Sequence, residues 1–248
     1  MSTKKTSTKK TSTLGWHFLS DAGKMRDGTI PARVETYKGT VAICKSGLHA
    51  STELRDALRY APGAILCRVR CRDVVMEHVD KFVCRERRIL WAVDAKDALR
   101  EFARRCALRA ARVHAANACA YLGLTKDAAA LRDLSDDATA DVIRGVAAHA
   151  AHAAAYAANF NAAHAAHAAH AAAVNVSAYA ANVNANVNAT DAAYTYAANA
   201  AAYAANVNAT NARARELTWQ AELLDKIVRA LPRIKVWSAA ATTNERSQ

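Results

Sequence analysis

Four side chains at ligand-like spacing offer the first chemistry. Cys44 and His49 are separated as C-x4-H, and Cys67 and Cys71 as C-x3-C. Zinc is held by four thiolate and imidazole ligands of this kind, so Cys44, His49, Cys67 and Cys71 form a candidate metal set. Against it, Cys67 and Cys71 flank Val69 in an alternating run, and a free cysteine makes a good small core residue. The core reading is preferred, and no cofactor is expected. His49 lies in Gly47-Leu48-His49-Ala50-Ser51, read as a turn between a strand and a helix. A glycine at positive φ there leaves backbone N–H groups free near a helix start, a geometry that holds anions. His49, Ser51 and Thr52 are therefore candidate contacts for a phosphate or nucleotide; the alternative is a histidine that bonds the loop and fixes its shape. Arg68, Arg70 and Arg72 form a basic stripe, and Arg85, Arg87 and Arg88 can continue it on a neighbouring strand. Such a surface suits phosphate contacts. No aromatic residue interleaves with the stripe in the sequence, and a solvated sheet face is the bland alternative.

The elements that must position these residues are legible in part. Leu14–Leu19 is a short apolar run that reads as a strand, and Thr40–Cys44 is rich in β-formers. Ser51 can cap a short helix with Leu54, Ala57, Leu58 and Ala61 at helical spacing, and Pro62-Gly63 stops it. From Ala64 to Arg72, Ile65, Cys67, Val69 and Cys71 face one way and Arg68, Arg70 and Arg72 the other, the alternation of a half-buried strand. Val79–Val93 adds one or two strands. Strands, helix, strands predict a small α+β domain with a mixed β-sheet and one or two helices over residues 14–94.

Within that stretch stand Gly15-Trp16-His17-Phe18, Arg26-Asp27-Gly28, the Cys44–Ser51 box, Asp56–Gly63, Asp80-Lys81 and Arg87-Arg88. Together these resemble an uncharacterised domain family of tailed bacteriophages and prophages, with a C-x2-G-[LF]-H-[AS] box and an Ala-rich repeat after it. The resemblance spans about residues 14–95. It implies a phage or prophage origin and carries no activity. The order of strand, Gly-Leu-His-Ala-Ser turn, helix and strand also looks like ADP-ribosyltransferase folds. That likeness implies a catalytic histidine on the first strand, His17, and a late glutamate, Glu86; the usual Ser-Thr-Ser box and E-x-E motif are missing.

The rest of the chain divides by composition. Of 248 residues, 34 are Lys or Arg and 22 Asp or Glu, a net charge of +12. Residues 1–13 hold four lysines and, between Met1 and Leu14, no apolar side chain; they read as a disordered basic tail. No apolar leader follows Met1, so no export signal is expected, and without one the six cysteines read as free. No window is apolar enough to cross a bilayer; the expected location is the cytoplasm, that of the host if phage-encoded. Residues 95–145 read as a helical connector whose first helix sets Leu99, Phe102 and Cys106 on one face and Arg100, Arg104, Arg105, Arg109 and Arg112 on most of the other, ending at Gly123. Residues 146–212 carry a single charge, Asp191, and are roughly half alanine, with Asn, His, Tyr and Val. Alanine predicts one long helix over 136–173; alternating Asn and Val leave 174–212 open between strand, helix and irregular chain. This segment is a spacer or a self-association surface, with a histidine metal site as a weaker third reading. Residues 213–232 form an amphipathic helix ended by Pro232, expected to dock on the repeat or a partner, and 233–248 a tail.

The preferred function is a non-enzymatic phage accessory protein that binds an unidentified host or phage partner through its N-terminal domain. The alternatives are NAD-dependent ADP-ribosyl transfer through His17 and the His49 loop, and non-specific electrostatic binding of nucleic acid, no helix with Asn or Gln being poised to read base edges.

Overall fold

The computed structural model describes residues 12–121, 123–139, 142, 143, 145, 146, 149, 150 and 210–232. The expectations for residues 1–11, 151–209 and 233–248 lie outside the described residues; they concern the lysine tail, most of the Ala-rich segment with its spacer, self-association and histidine readings, and the C-terminal tail. The chain divides into two units, Met1–Ala95 with Leu231–Gln248, and Lys96–Ala230.

The first unit is α+β. Five antiparallel strands, β1 (Ser12–Leu19), β2 (Val34–Thr36), β3 (Leu48–Ala50), β4 (Ile65–Glu77) and β5 (Phe82–Asp94), build one sheet in the order β1-β4-β5-β2, with β3 also on β5. A short helix α1 (Leu54–Leu58) follows β3. Trp16 and Ser51 then exchange backbone hydrogen bonds of 2.8 and 3.0 Å, which joins β3 back to β1 and closes a ring through β1, β4, β5 and β3. Closure depends on Gly15: a Cβ there would lie 2.9 Å from Ala50 Cβ and from the Phe82 ring.

Alternation sorts β4 as predicted. Ile65, Cys67, Val69 and Cys71 are buried with Leu19, Leu48, Ala50, Phe82, Cys84, Ile89 and Ala92, while Arg70 and Arg72 are exposed. The pattern breaks at Asp73, whose φ of 54° is left-handed. Beyond it Val74 packs on the cluster that holds Cys71, three residues before it. Residues 79–93 supply one strand, joined to β4 by a tight turn with His78 N–H donating to Lys81 O at 2.7 Å.

Three local expectations change. The stretch 40–44 is a loop, because Ala42 pairs with Ser46 across a tight turn and Cys44 takes a φ of 63°. The Gly47–Ser51 segment, read as a turn, contains strand β3, since Leu48 and Ala50 are buried and the backbone pairs with β5. Ser51 does not cap α1; it is 2% exposed, its backbone holds Trp16, and Glu53 stands at the cap position. At the chain start β1 begins at Ser12, two residues inside the stretch assigned to the tail.

In the second unit α2 (Lys96–Arg109) runs through a π-helical stretch, Ala110–Ala115, into α3 (Ala116–Tyr121), close to the single helix predicted up to Gly123, which has φ +77°. After α4 (Thr125–Arg132), residues 133–139 turn instead of starting the long helix, and Thr139 Oγ1 accepts the Val142 N–H at 3.4 Å. The last of the described helices, α5 (Thr210–Arg229), buries Glu216, Gln220, Leu223, Leu224 and Val228. It docks on α2. Arg109 bonds Glu216 at 2.8 Å and lies 4.4 Å over the Trp219 ring.

Candidate functional site

A cleft of about 660 Å³ opens between β1, the Met25–Asp27 turn, the Cys44–Ser51 segment and α1. That is a usual size for a small-molecule site. Its wall includes Arg26, Lys45, Lys81 and Arg87 against one carboxylate, Asp27. Asp27 is already engaged, accepting from the Thr29 hydroxyl and N–H at 2.6 and 3.0 Å. His17 and His49, far apart in sequence, both line this cleft.

The two histidines differ in role. The Cys44 N–H donates to His49 Nε2 at 3.1 Å, so the ring proton resides on Nδ1, which meets Gly47 O at 3.1 Å. Both ring nitrogens are spent on clipping the Cys44–Gly47 loop, which is the shape-fixing reading of this residue. Gly47 itself has φ +104°, and a Cβ on it would lie 2.6 Å from Val83 Cγ2. His17, paired with Cys67 across the β1–β4 ladder, is placed otherwise. Its Nε2 is buried and has no hydrogen-bond partner among the described residues. Burial, then the charges of Arg87 and His49, hold its pKa well below the ordinary value. Burial also lowers that of His49, with Lys81 and Arg87 adding to it against the bond to Gly47. At neutral pH both imidazoles are therefore uncharged.

Arg87 organises this end of the sheet. Its side chain is 0% exposed. Nε and Nη2 donate to Glu35 Oε2 at 2.9 and 2.8 Å, and Nη1 to His49 O at 2.8 Å. One buried guanidinium thus ties β2 and β3 to β5. Lys81 lies 3.9 Å from the Tyr60 ring centre. Burial pulls its pKa down, but bonds to Cys44 and Tyr60 outweigh that and raise it. The Tyr60 hydroxyl donates a short bond to Asp80.

The remaining sequence candidates lie elsewhere. Thr52 is exposed and outside the cleft wall, and Ser51 reaches it while its backbone serves the ring closure. Cys67 and Cys71 are core residues at 0% exposure; burial pushes the Cys67 thiol up to about 12, and a bond that Cys71 donates to Cys84, together with burial, raises Cys71. Cys44 is exposed. Among the described residues no group of three His, Cys, Asp or Glu side chains is arranged to hold a metal ion. Glu86 pairs with Arg72 at 3.5 Å, and it does not line the cleft.

The arginine stripe gains a feature that sequence order hid. Trp16, Arg68 and Trp91 are register partners across β1, β4 and β5. Arg68 lies 4.3 Å over the Trp16 ring, and the two indoles meet edge-on at 5.7 Å. Aromatic residues do flank the stripe, contributed by neighbouring strands. The basic face of α2 and the π-helical stretch after it is used differently: Arg100, Arg104, Arg105, Arg109 and Arg112 pair with Asp97, Glu101, Glu101, Glu216 and Asp136.

Sequence reasoning missed Arg26, Lys45 and Lys81 as cleft residues, and the Arg87–Glu35 pair. Tyr60 and Asp80-Lys81 stood among the quoted signatures without a role, and Arg87, expected to continue the basic stripe, is instead buried and paired with Glu35. Only the return of β5 past the Cys44–Ser51 loop brings them together.

The fold and the cleft define a small antiparallel α+β domain with a cationic pocket against its first strand. Its residues 29–101 match a family described as a domain of unknown function (DUF7666). The match covers the Cys44–Ser51 box and Tyr60–Gly63 and begins downstream of β1. Neither a curated protein nor a solved structure matches the chain.

Proposed function

We propose that the chain is a non-enzymatic binding protein whose N-terminal domain holds a small phosphorylated ligand of nucleotide size in the cleft beside His17. The observation that carries this reading is the pairing of three cationic side chains in the wall, Arg26, Lys45 and Lys81, with the buried, unpartnered His17 Nε2. A buried ring nitrogen without a partner is costly. A ligand hydroxyl or N–H seated in the cleft satisfies it while the phosphate meets Arg26, Lys45 and Lys81. The phage or prophage setting, and with it the host cytoplasm, belongs to the same proposal and rests on the Cys44–Ser51 and Tyr60–Gly63 motifs.

A thermal-shift panel of inorganic phosphate, ADP and NAD tests the reading. A rise in melting temperature with ADP or NAD, lost in Lys45→Glu, supports it; no shift with any of the three overturns it.

A second reading, NAD-dependent ADP-ribosyl transfer, is favoured by the meeting of His17 and His49 in one cleft. Against it, the cleft's one carboxylate, Asp27, is engaged by Thr29, and Glu86, paired with Arg72, lies outside the wall. Label transfer from NAD to host-lysate proteins that disappears in His17→Ala would establish it over simple binding.

A further inference from the structure

The outer face of the sheet carries three rows of paired side chains rich in arginine, the first of which alternates ring and charge. Directly paired residues of antiparallel neighbours project to the same side. One row is Trp16–Arg68–Trp91, the next Leu14–Arg70–Arg88 and the third Ser12–Arg72–Glu86. Arg70 and Arg88 are exposed, Arg72 keeps half its side chain in solvent, and Leu14 is 43% exposed. Four arginines face one carboxylate. Arg70 and Arg88 stand directly opposite each other, an arrangement that disfavours the fold and gains from a bound anion.

We propose that this face is a platform for single-stranded nucleic acid. A polyanion neutralises the arginine rows, and its unstacked bases have indole and leucine surface to lie on, the two ingredients of sequence-tolerant single-strand binding. A duplex hides its bases and is read by an element that enters a groove; the three paired rows, spread over β1, β4 and β5, are too broad to be one. Single strand is therefore the committed occupant. The face meets the cleft at Trp16, which borders both, while Arg70 and Arg88 take no part in the cleft wall.

The test is fluorescence anisotropy of the full chain with a fluorescein-labelled oligodeoxythymidine and with a labelled duplex of equal length. Three neutralised phosphates predict a log–log salt slope of about −2 on the single strand. Arg70→Glu/Arg88→Glu, folded as judged by an unchanged or raised urea midpoint, is expected to weaken binding at least about tenfold. A second variant with Lys4, Lys5, Lys9 and Lys10 changed to alanine separates the N-terminal lysines from the face, and it should still bind and still lose affinity on the arginine reversal. The proposal is overturned by duplex binding as tight as single-strand binding, by indifference to the arginine reversal, by complete loss in the lysine variant alone, or by no binding.

Discussion

Arg70 on β4 and Arg88 on β5 are register partners in an antiparallel pair, so two like charges stand directly opposite each other on one face. Charges so placed repel, and oppositely charged or β-branched pairs are favoured by about 0.2–1 kcal/mol over them. Arg88→Thr is expected to raise stability by that amount, read as a higher urea midpoint at constant slope, while weakening oligonucleotide binding. A lowered midpoint would show that Arg88 contributes to the fold.

The neutral imidazoles make the first unit sensitive to acid. His17 and His49 have folded pKa values below their unfolded value of about 6.5. The unfolded chain therefore takes up protons first as pH falls. Stability is full above about pH 6.5 and declines as pH drops toward the folded values. Urea midpoints measured between about pH 7.5 and pH 5 should fall, and His17→Asn should flatten that decline. An unchanged pH slope in the variant would place the proton uptake elsewhere.

Thiol chemistry should single out one residue of six. Cys44 is exposed, and Cys67, Cys71, Cys84, Cys106 and Cys119 are buried. Burial raises Cys67, Cys106 and Cys119 in particular, and a thiol that stays protonated is inert. The native chain is expected to react with one equivalent of Ellman's reagent and with six after denaturation. Cys44→Ser should abolish the native signal, and a ligand in the cleft should slow it, because Cys44 lines the wall.

Two glycines test the loops that shape the cleft. Gly47→Ala meets both a φ of +104° and the Val83 methyl, and Gly63→Ala would set a Cβ 2.4 Å from Asp21 N. Gly28 is also left-handed, at φ +85°, but has nothing within 4 Å. Gly28→Ala should cost about 1 kcal/mol, and each of the other two about 2 kcal/mol or more, strain and clash together, in chemical denaturation. Equal losses would mean that backbone strain alone matters.

These residues also show what a sequence can reveal. The alternation of Ile65, Cys67, Val69 and Cys71 gave β4 its buried side, because a strand's period is local information. Two motifs were visible as motifs, but their reasons were not. Gly47 yields to Val83, and Gly63 to the Ser20–Asp21 backbone; each obstacle lies more than 30 positions away. β3 was read as a turn because its three residues acquire strand geometry only from β5 and Trp16. On α5 the spacing of Leu217, Leu224, Ile227 and Leu231 marks one face, yet Glu216 and Gln220 are buried beside Leu223, Leu224 and Val228, because Arg109 supplies the counter-charge from α2. The cleft's cations come from three separate segments, the Met25–Asp27 turn, the Cys44–Ser51 loop and β5 with the turn before it. No spacing rule links them.

The claim that the cleft is a binding site for a phosphorylated ligand is tested most directly by isothermal titration calorimetry of ADP into the full chain. Saturable one-to-one binding is expected, at least about tenfold weaker in Lys45→Glu, which removes a phosphate contact on an exposed loop. His17→Phe should weaken it without lowering stability, since the variant removes a buried nitrogen that the fold leaves unpartnered. Absence of heat with ADP and with NAD, or binding that neither substitution changes, would contradict the account.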